Sequence, residues 1–133
     1  MEKITLPNGD IELITPGNIL YITFKGNIED DDYKEIWQTG VDKAVELNIE
    51  RFIFDQTNIG RVSFKARGWV ILKMLPTIKK ELGKGLKIGV LSSKDLVNKS
   101  GVKYMVGMFK KMASLDVTFF TDLETATEEI SKA

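Results

Sequence analysis

The hydrophobic positions of this chain change their period along its length. From Lys3 to Lys25 they fall in short runs between turn residues: Lys3–Leu6, the turn Pro7-Asn8-Gly9-Asp10, Ile11–Thr15, the turn Pro16-Gly17-Asn18, and Ile19–Lys25. These runs predict a small antiparallel meander, with Asn-Gly supplying the positive φ that a tight hairpin needs. In the third run Leu20, Ile22 and Phe24 alternate with Tyr21, Thr23 and Lys25, so the strand has one apolar and one mixed face.

After the meander the period becomes helical. Tyr33, Ile36, Trp37, Val41, Ala44, Val45 and Leu47 recur at three- and four-residue spacing and predict a helix over 31–48. The acidic run Glu29–Asp32 lies at its start, where negative charge complements the helix dipole; it lacks the mid-loop Gly and distal Glu of an EF-hand. Phe52–Asp55 is a nearly all-apolar strand, as expected when helices cover both faces of a sheet. A second helix over 63–82 places Ala66, Trp69, Val70, Met74, Ile78 and Leu82 inward. Pro76 either kinks or divides it, since proline removes the bond to Leu72 and crowds that turn, and Gly83 and Gly85 end it.

The remainder continues the alternation. Leu86–Leu91 reads as a strand, Ser92-x-x-Asp95 as the opening of a third helix to Ala113, Asp116–Phe120 as the last strand, and Thr121-x-x-Glu124 as a capping box starting a helix to Ser131. Strands alternating with helices predict an α/β domain: a mixed, mostly parallel sheet of about four to six strands with right-handed crossovers and about four helices. No linker divides the chain, so residues 1–133 are expected to form one domain.

Composition narrows the function classes. With 133 residues, 43% hydrophobic and 29% charged, the chain is expected to fold around a proper core without disulfide or metal staples. Lys plus Arg and Asp plus Glu are 19 each, so no net positive field draws in nucleic acid. The N-terminus has no secretory h-region, and no apolar run approaches membrane-spanning length; the expected compartment is the cytoplasm. The absence of His and Cys removes the side chains that most often do acid/base, nucleophilic or metal work near neutral pH. No metal, no cofactor and no enzymatic activity are therefore expected.

The segment FIFDQTNIGRVSFKARGWVILKMLP and the strand LKIGVLS, within this order of elements, resemble the SpoIIAA-like superfamily, which contains the STAS domains and anti-sigma-factor antagonists. The resemblance covers Ile11 to the C-terminus and is closest in character to uncharacterised bacterial STAS-like proteins. It implies a SpoIIAA-like fold and a non-enzymatic signalling domain that binds a protein partner, alone or as a homodimer. In STAS domains the strand before the site ends in an Asp, matched here by Asp55. The next loop-helix junction carries a Ser that is phosphorylated to switch partner binding. Here that junction reads Arg61-Val62-Ser63-Phe64-Lys65; the Asp-Ser-Ser-Gly signature is absent, and Ser63 falls where the family has its Asp.

The expected partner-binding edge runs from Thr57 to Arg67 and includes Asp55, Thr57, Asn58, Arg61, Ser63, Lys65 and Arg67. Ser63 at a helix start is read most simply as an N-cap; a phosphate there would meet the positive end of the helix dipole near Arg61, Lys65 or Arg67. Asp55, Thr57 and Asn58 either orient a ligand or close Asx turns. Lys79, Lys80, Lys84 and Lys87 read as a solvated helix end, and Gly83-Lys84-Gly85 lacks the spacing of a P-loop. The alternative function is a carrier or sensor of a small apolar or anionic ligand, in a groove lined by Met74, Met105, Met108 and Met112. Sequences of this kind also resemble the CRAL-TRIO lipid-transfer domains. An enzyme using Asp55 with Arg61 would need the Asp pKa raised by burial.

Overall fold

Six strands lie side by side in the order in which they occur in the chain, among the residues 1–83, 85–93, 107 and 116–132 that the computed structural model describes. Strands β1 (Ile4–Leu6), β2 (Gly9–Ile14) and β3 (Ile19–Gly26) pair antiparallel, as the meander predicts. Strands β4 (Arg51–Ile59), β5 (Lys87–Leu91) and β6 (Asp116–Phe120) then add to β3 in parallel. The sheet is thus mixed, with an antiparallel start and a parallel remainder. The helix expected between Ser92 and Ala113 lies outside the described residues, apart from single positions.

Helix α1 (Asp30–Leu47) crosses one face of the sheet, and its inward stripe is Tyr33, Ile36, Trp37, Gly40, Val41 and Ala44. Leu20, Ile22, Phe24, Phe52 and Phe54 meet it from β3 and β4 in the main core. Trp37 stacks on Phe54 with ring centroids 4.5 Å apart. The close approach depends on glycine: a Cβ on Gly9 of β2 would meet the Thr23 carbonyl at 2.6 Å and Ile36 Cδ1 at 2.7 Å. Val45 and Leu47, expected inward, are each 41% exposed. Val45 stands about 100° round from the centre of the stripe, and Leu47 is the last residue before Asn48 turns the chain in the left-handed region.

The second crossover is one continuous rod of three parts: α2 (Phe64–Trp69), a π turn (Val70–Met74) and α3 (Leu75–Leu82). Pro76 does not divide it. The π turn inserts one extra residue, so the Leu75 amide reaches the Val70 carbonyl and Pro76 falls in the first turn of α3, where no amide is needed. The Thr77 hydroxyl donates to the Lys73 carbonyl at 2.7 Å beside the proline.

Helix α4 (Leu123–Ser131) covers the other face. Ala126 and Ile130 pack there with Ile19, Ile53, Leu91 and Phe120. Its N-cap is Asp122, one residue later than the expected Thr121: the Asp122 carboxylate accepts the Thr125 amide at 2.8 Å and the Thr125 hydroxyl at 3.0 Å. Those two donors hold the Asp122 pKa below the ordinary carboxylate value.

Candidate functional site

Strand β4 is longer than its apolar run. It continues through Gln56, Thr57, Asn58 and Ile59, so Thr57 and Asn58 are strand residues rather than loop residues. The polar stretch hides this because pairing with β3 slips between Thr23 and Lys25, where Thr23 opposes Asp55 but Lys25 opposes Asn58. The extra residue of this bulge reverses the alternation, so that Ile59 rejoins the core occupied by Phe52 and Phe54.

The bulge brings the connection after β4 against the connection after β3. Gly60 donates its amide to the Gly26 carbonyl at 2.8 Å, Arg61 its amide to Asn27 Oδ1 at 2.8 Å, and Ile28 its amide to the Arg61 carbonyl at 2.9 Å. Asn8 Nδ2 donates to the Lys25 carbonyl at 2.9 Å from the first hairpin. Ser63 closes the series. Its hydroxyl accepts the Ala66 amide at 3.0 Å, which makes it the N-cap of α2, and donates to Asp30 Oδ1 at 2.7 Å in the first turn of α1.

Asp55 belongs to the opposite side of the sheet. It is buried and shares the face of Ile53 and Tyr21, with the Tyr21 hydroxyl bonded to its Oδ2 and the Thr57 amide donating to its Oδ1 at 2.9 Å. Burial, reinforced by the neighbouring Asp55 charge, pushes the Tyr21 pKa well above the ordinary phenol value. Both Asp55 oxygens are therefore engaged inside the chain. The backbone of Thr57 meets Asp55, Asn58 is exposed, and neither Ser63 nor α2 shares their face.

On the helical face the basic residues of the edge divide by burial. Arg61 and Lys65 are exposed, whereas Arg67 is half-buried, and its charge reaches the buried Tyr33 hydroxyl, lowering a pKa that burial raises. Next to them are two large apolar side chains at the surface: Phe64 is 79% and Leu72 66% exposed. With Gly68 they form one row at four-residue spacing, and a Cβ on Gly68 would meet no atom within 4 Å. Lys65, Trp69 and Lys73 form the neighbouring row, and Lys34 of α1 lies 5.6 Å above the Trp69 ring. Trp69 is thus half-buried, packed against the margin of the main core between the two helices.

Several features of the surface and the core have no counterpart in the local sequence pattern. Exposure of Phe64 and Leu72 is not coded by residue type, though their i, i+8 spacing with Gly68 between them was available in the sequence. Asp10, 8% exposed, accepts Lys25 Nζ at 2.8 Å with Lys3 at 3.6 Å, and the Lys25 bond holds its pKa below the usual carboxylate value against burial. Gln56 of β4 and Ser92, just after β5, are buried, and among the described residues Gln56 Oε1 and Ser92 Oγ have no hydrogen-bond partner. Of the methionines expected to line a groove, Met74 is 2% exposed in the main core; Met105, Met108 and Met112 lie outside the described residues, as does Lys84. Among the described residues, no helix is long and apolar enough to cross a membrane.

No family model and no curated protein matches this chain. Solved structures do. The chain is similar to an uncharacterised protein of the DUF3478 family with a SpoIIAA-like fold from Shewanella loihica PV-4, at TM-score 0.64 and 16% identity over 90% of each chain. It is also similar to an anti-sigma factor antagonist from Mycobacterium paratuberculosis, at TM-score 0.60 and 15% identity over 97% of this chain and 100% of that one. The chain therefore has the SpoIIAA-like, STAS-type fold.

Proposed function

We propose that this chain is a non-enzymatic, cytoplasmic regulatory domain that binds a protein partner through the Arg61 to Arg67 part of the expected edge, extended along the α2–α3 rod to Leu72, with Thr57 and Asn58 left on the other face. The observation that carries this is the exposure of Phe64 and Leu72 beside Arg61, Lys65 and Lys73, whereas the other aromatic side chains among the described residues are mostly buried. An exposed aromatic flanked by fixed positive charge is the composition of a protein-binding surface. The likeness to an anti-sigma factor antagonist, a protein whose name denotes regulation through another protein, supports the same class.

Phosphorylation would act here by release. Ser63 already caps α2 and bonds to Asp30, and the first turn of α1 also holds Asp31 and Asp32. A phosphate on Ser63 would lose the donated bond and face these carboxylates, so the junction between α1 and α2 would open. Asp55 serves as a brace for β4 rather than as a base, its oxygens being taken by Tyr21 and Thr57.

Native mass spectrometry on the protein isolated from its own host tests this function. The expected result is a co-purifying protein whose retention falls in the Lys65→Glu and Phe64→Ser variants. A bound lipid or metabolite with no protein partner would replace the proposal with the carrier alternative.

A further inference from the structure

We propose that two copies of this chain associate face to face through the layer formed by α1 and the α2–α3 rod, with α1 of each copy lying on the rod of the other. The charge of this net-neutral protein is divided between these two elements. Helix α1 holds six acidic residues and two basic ones, while the rod from Phe64 to Leu82 holds five basic residues and a single acid, Glu81. From Gln56 to Lys80 there is no acidic residue at all.

The division has a direction. On α1 the side away from the sheet carries Asp31, Glu35, Gln38, Asp42 and Glu46, all exposed. On the rod the corresponding side carries Phe64, Gly68 and Leu72, with Lys65, Lys73 and Lys80 exposed beside them. Each element thus presents what the other lacks. Both follow parallel strands in successive crossovers, so they run in the same direction, and the bond from Ser63 to Asp30 sets their starts level.

These facts select one symmetry. A two-fold axis along the groove between the helices places α1 of one copy over the rod of the other, in parallel and at equal height, and repeats the contact on the other side of the axis. A two-fold axis across the helices would instead set acid on acid. In the chosen arrangement Asp31 comes opposite Lys65 of the second copy. Glu46, fifteen positions along α1, comes opposite Lys80, fifteen positions along the rod. The pair of Glu46 with Lys43 at 2.7 Å lies on the exposed surface and is free to rearrange.

The apolar content sits between the charged ends. Phe64 and Leu72 would pack on the aliphatic parts of Glu35 and Gln38, and Val45 would be covered near the axis. A face as long as α1, about 27 Å, and two helices wide, about 20 Å, approaches the size of a stable interface, roughly 800 Å² per partner once side-chain relief is counted. The dimer stands apart from the partner-binding function. Only one consequence rests on that function: self-association and partner docking would compete for Phe64 and Lys65.

Sedimentation equilibrium on the purified chain over a micromolar concentration series, at low and at high salt, tests the dimer. The expected result is a dimer that weakens with salt, that loses about tenfold or more in affinity in Leu72→Asp or Lys65→Glu/Lys80→Glu, and that is recovered when the latter carries Asp31→Lys/Glu46→Lys as well. Glu124→Lys, a charge change on α4 at the other face, should leave it unchanged. A monomer throughout the series, or a dimer indifferent to Leu72→Asp in a variant with native circular dichroism, would overturn the proposal. Partner capture from the host would still be open to test in either case.

Discussion

The Ser63 hydroxyl donates to Asp30 Oδ1 at 2.7 Å while accepting the Ala66 amide at 3.0 Å, so one side chain holds the starts of α1 and α2 together. It links residues 33 positions apart at the surface edge where partner binding is proposed.

Loss of this hydroxyl should cost little stability. Ser63→Ala removes an exposed cap and an exposed bond, and denaturant titration should show a loss of about 1 kcal/mol. Ser63→Glu should lose more than Ser63→Ala, because its carboxylate faces Asp30, and neutralising that neighbour in Ser63→Glu/Asp30→Asn should restore part of the difference. Equal stability of Ser63→Glu and Ser63→Ala would remove the basis for release by phosphorylation.

Tyr21 and Asp55 predict a pH dependence with a defined sign. The pKa of Tyr21 is higher in the folded chain than its ordinary value of 10.0, so the unfolded chain loses this proton first as pH rises. The stabilisation is fully present below pH 10 and is lost as pH climbs from there towards the folded pKa. Tyr21→Phe should lower stability by roughly 1–3 kcal/mol at neutral pH by leaving a buried carboxylate oxygen without its donor. Above pH 10 the gap between the two proteins should narrow, as urea titrations across this range would show.

The two tryptophans should separate in a mutational test. Trp37 is 1% exposed and stacked on Phe54, so Trp37→Ala should cost about 3–5 kcal/mol. Trp69 lies half-buried under Lys34, and Trp69→Ala should cost less than half as much. A denaturant titration of each variant reads the difference directly.

Two glycines predict opposite signs. A Cβ on Gly60 would collide with Asn27 Oδ1 and come within 2.9 Å of the Gly26 carbonyl carbon, so Gly60→Ala should force the two connections apart at a cost of roughly 1–3 kcal/mol. Faster hydrogen exchange at the Arg61 amide should accompany it. Gly68 has open space around it inside α2, and Gly68→Ala should stabilise by about 0.5–1 kcal/mol through helix propensity.

The order of the six strands and of the described helices was legible because period two and period 3.6 alternate cleanly along the chain. Leu20, Ile22 and Phe24 face the core as their alternation predicts. What escaped was set by events between elements. A bulge lengthened β4 across the polar residues Gln56, Thr57 and Asn58, and a π turn absorbed Pro76; the bulge shifts the period at a single apolar residue, Ile59, too little for hydrophobic periodicity to reveal. Asp55 and Ser63, grouped by their nearness in sequence, lie on opposite sides of the sheet, and their partners Tyr21 and Asp30 come from β3 and α1. Pairings across 33 and 34 residues depend on register and are not written in local spacing.

The most direct test of partner binding is a photo-crosslinking amino acid placed at position 64, with a second protein carrying it at the exposed Thr118 of β6, each produced in the native host. Mass spectrometry of the irradiated adducts should show a protein other than this chain linked through position 64, absent at position 118 and diminished when Lys65→Glu is added. The same adducts at both positions, or only copies of this chain at position 64, would contradict a partner-binding edge at the start of α2.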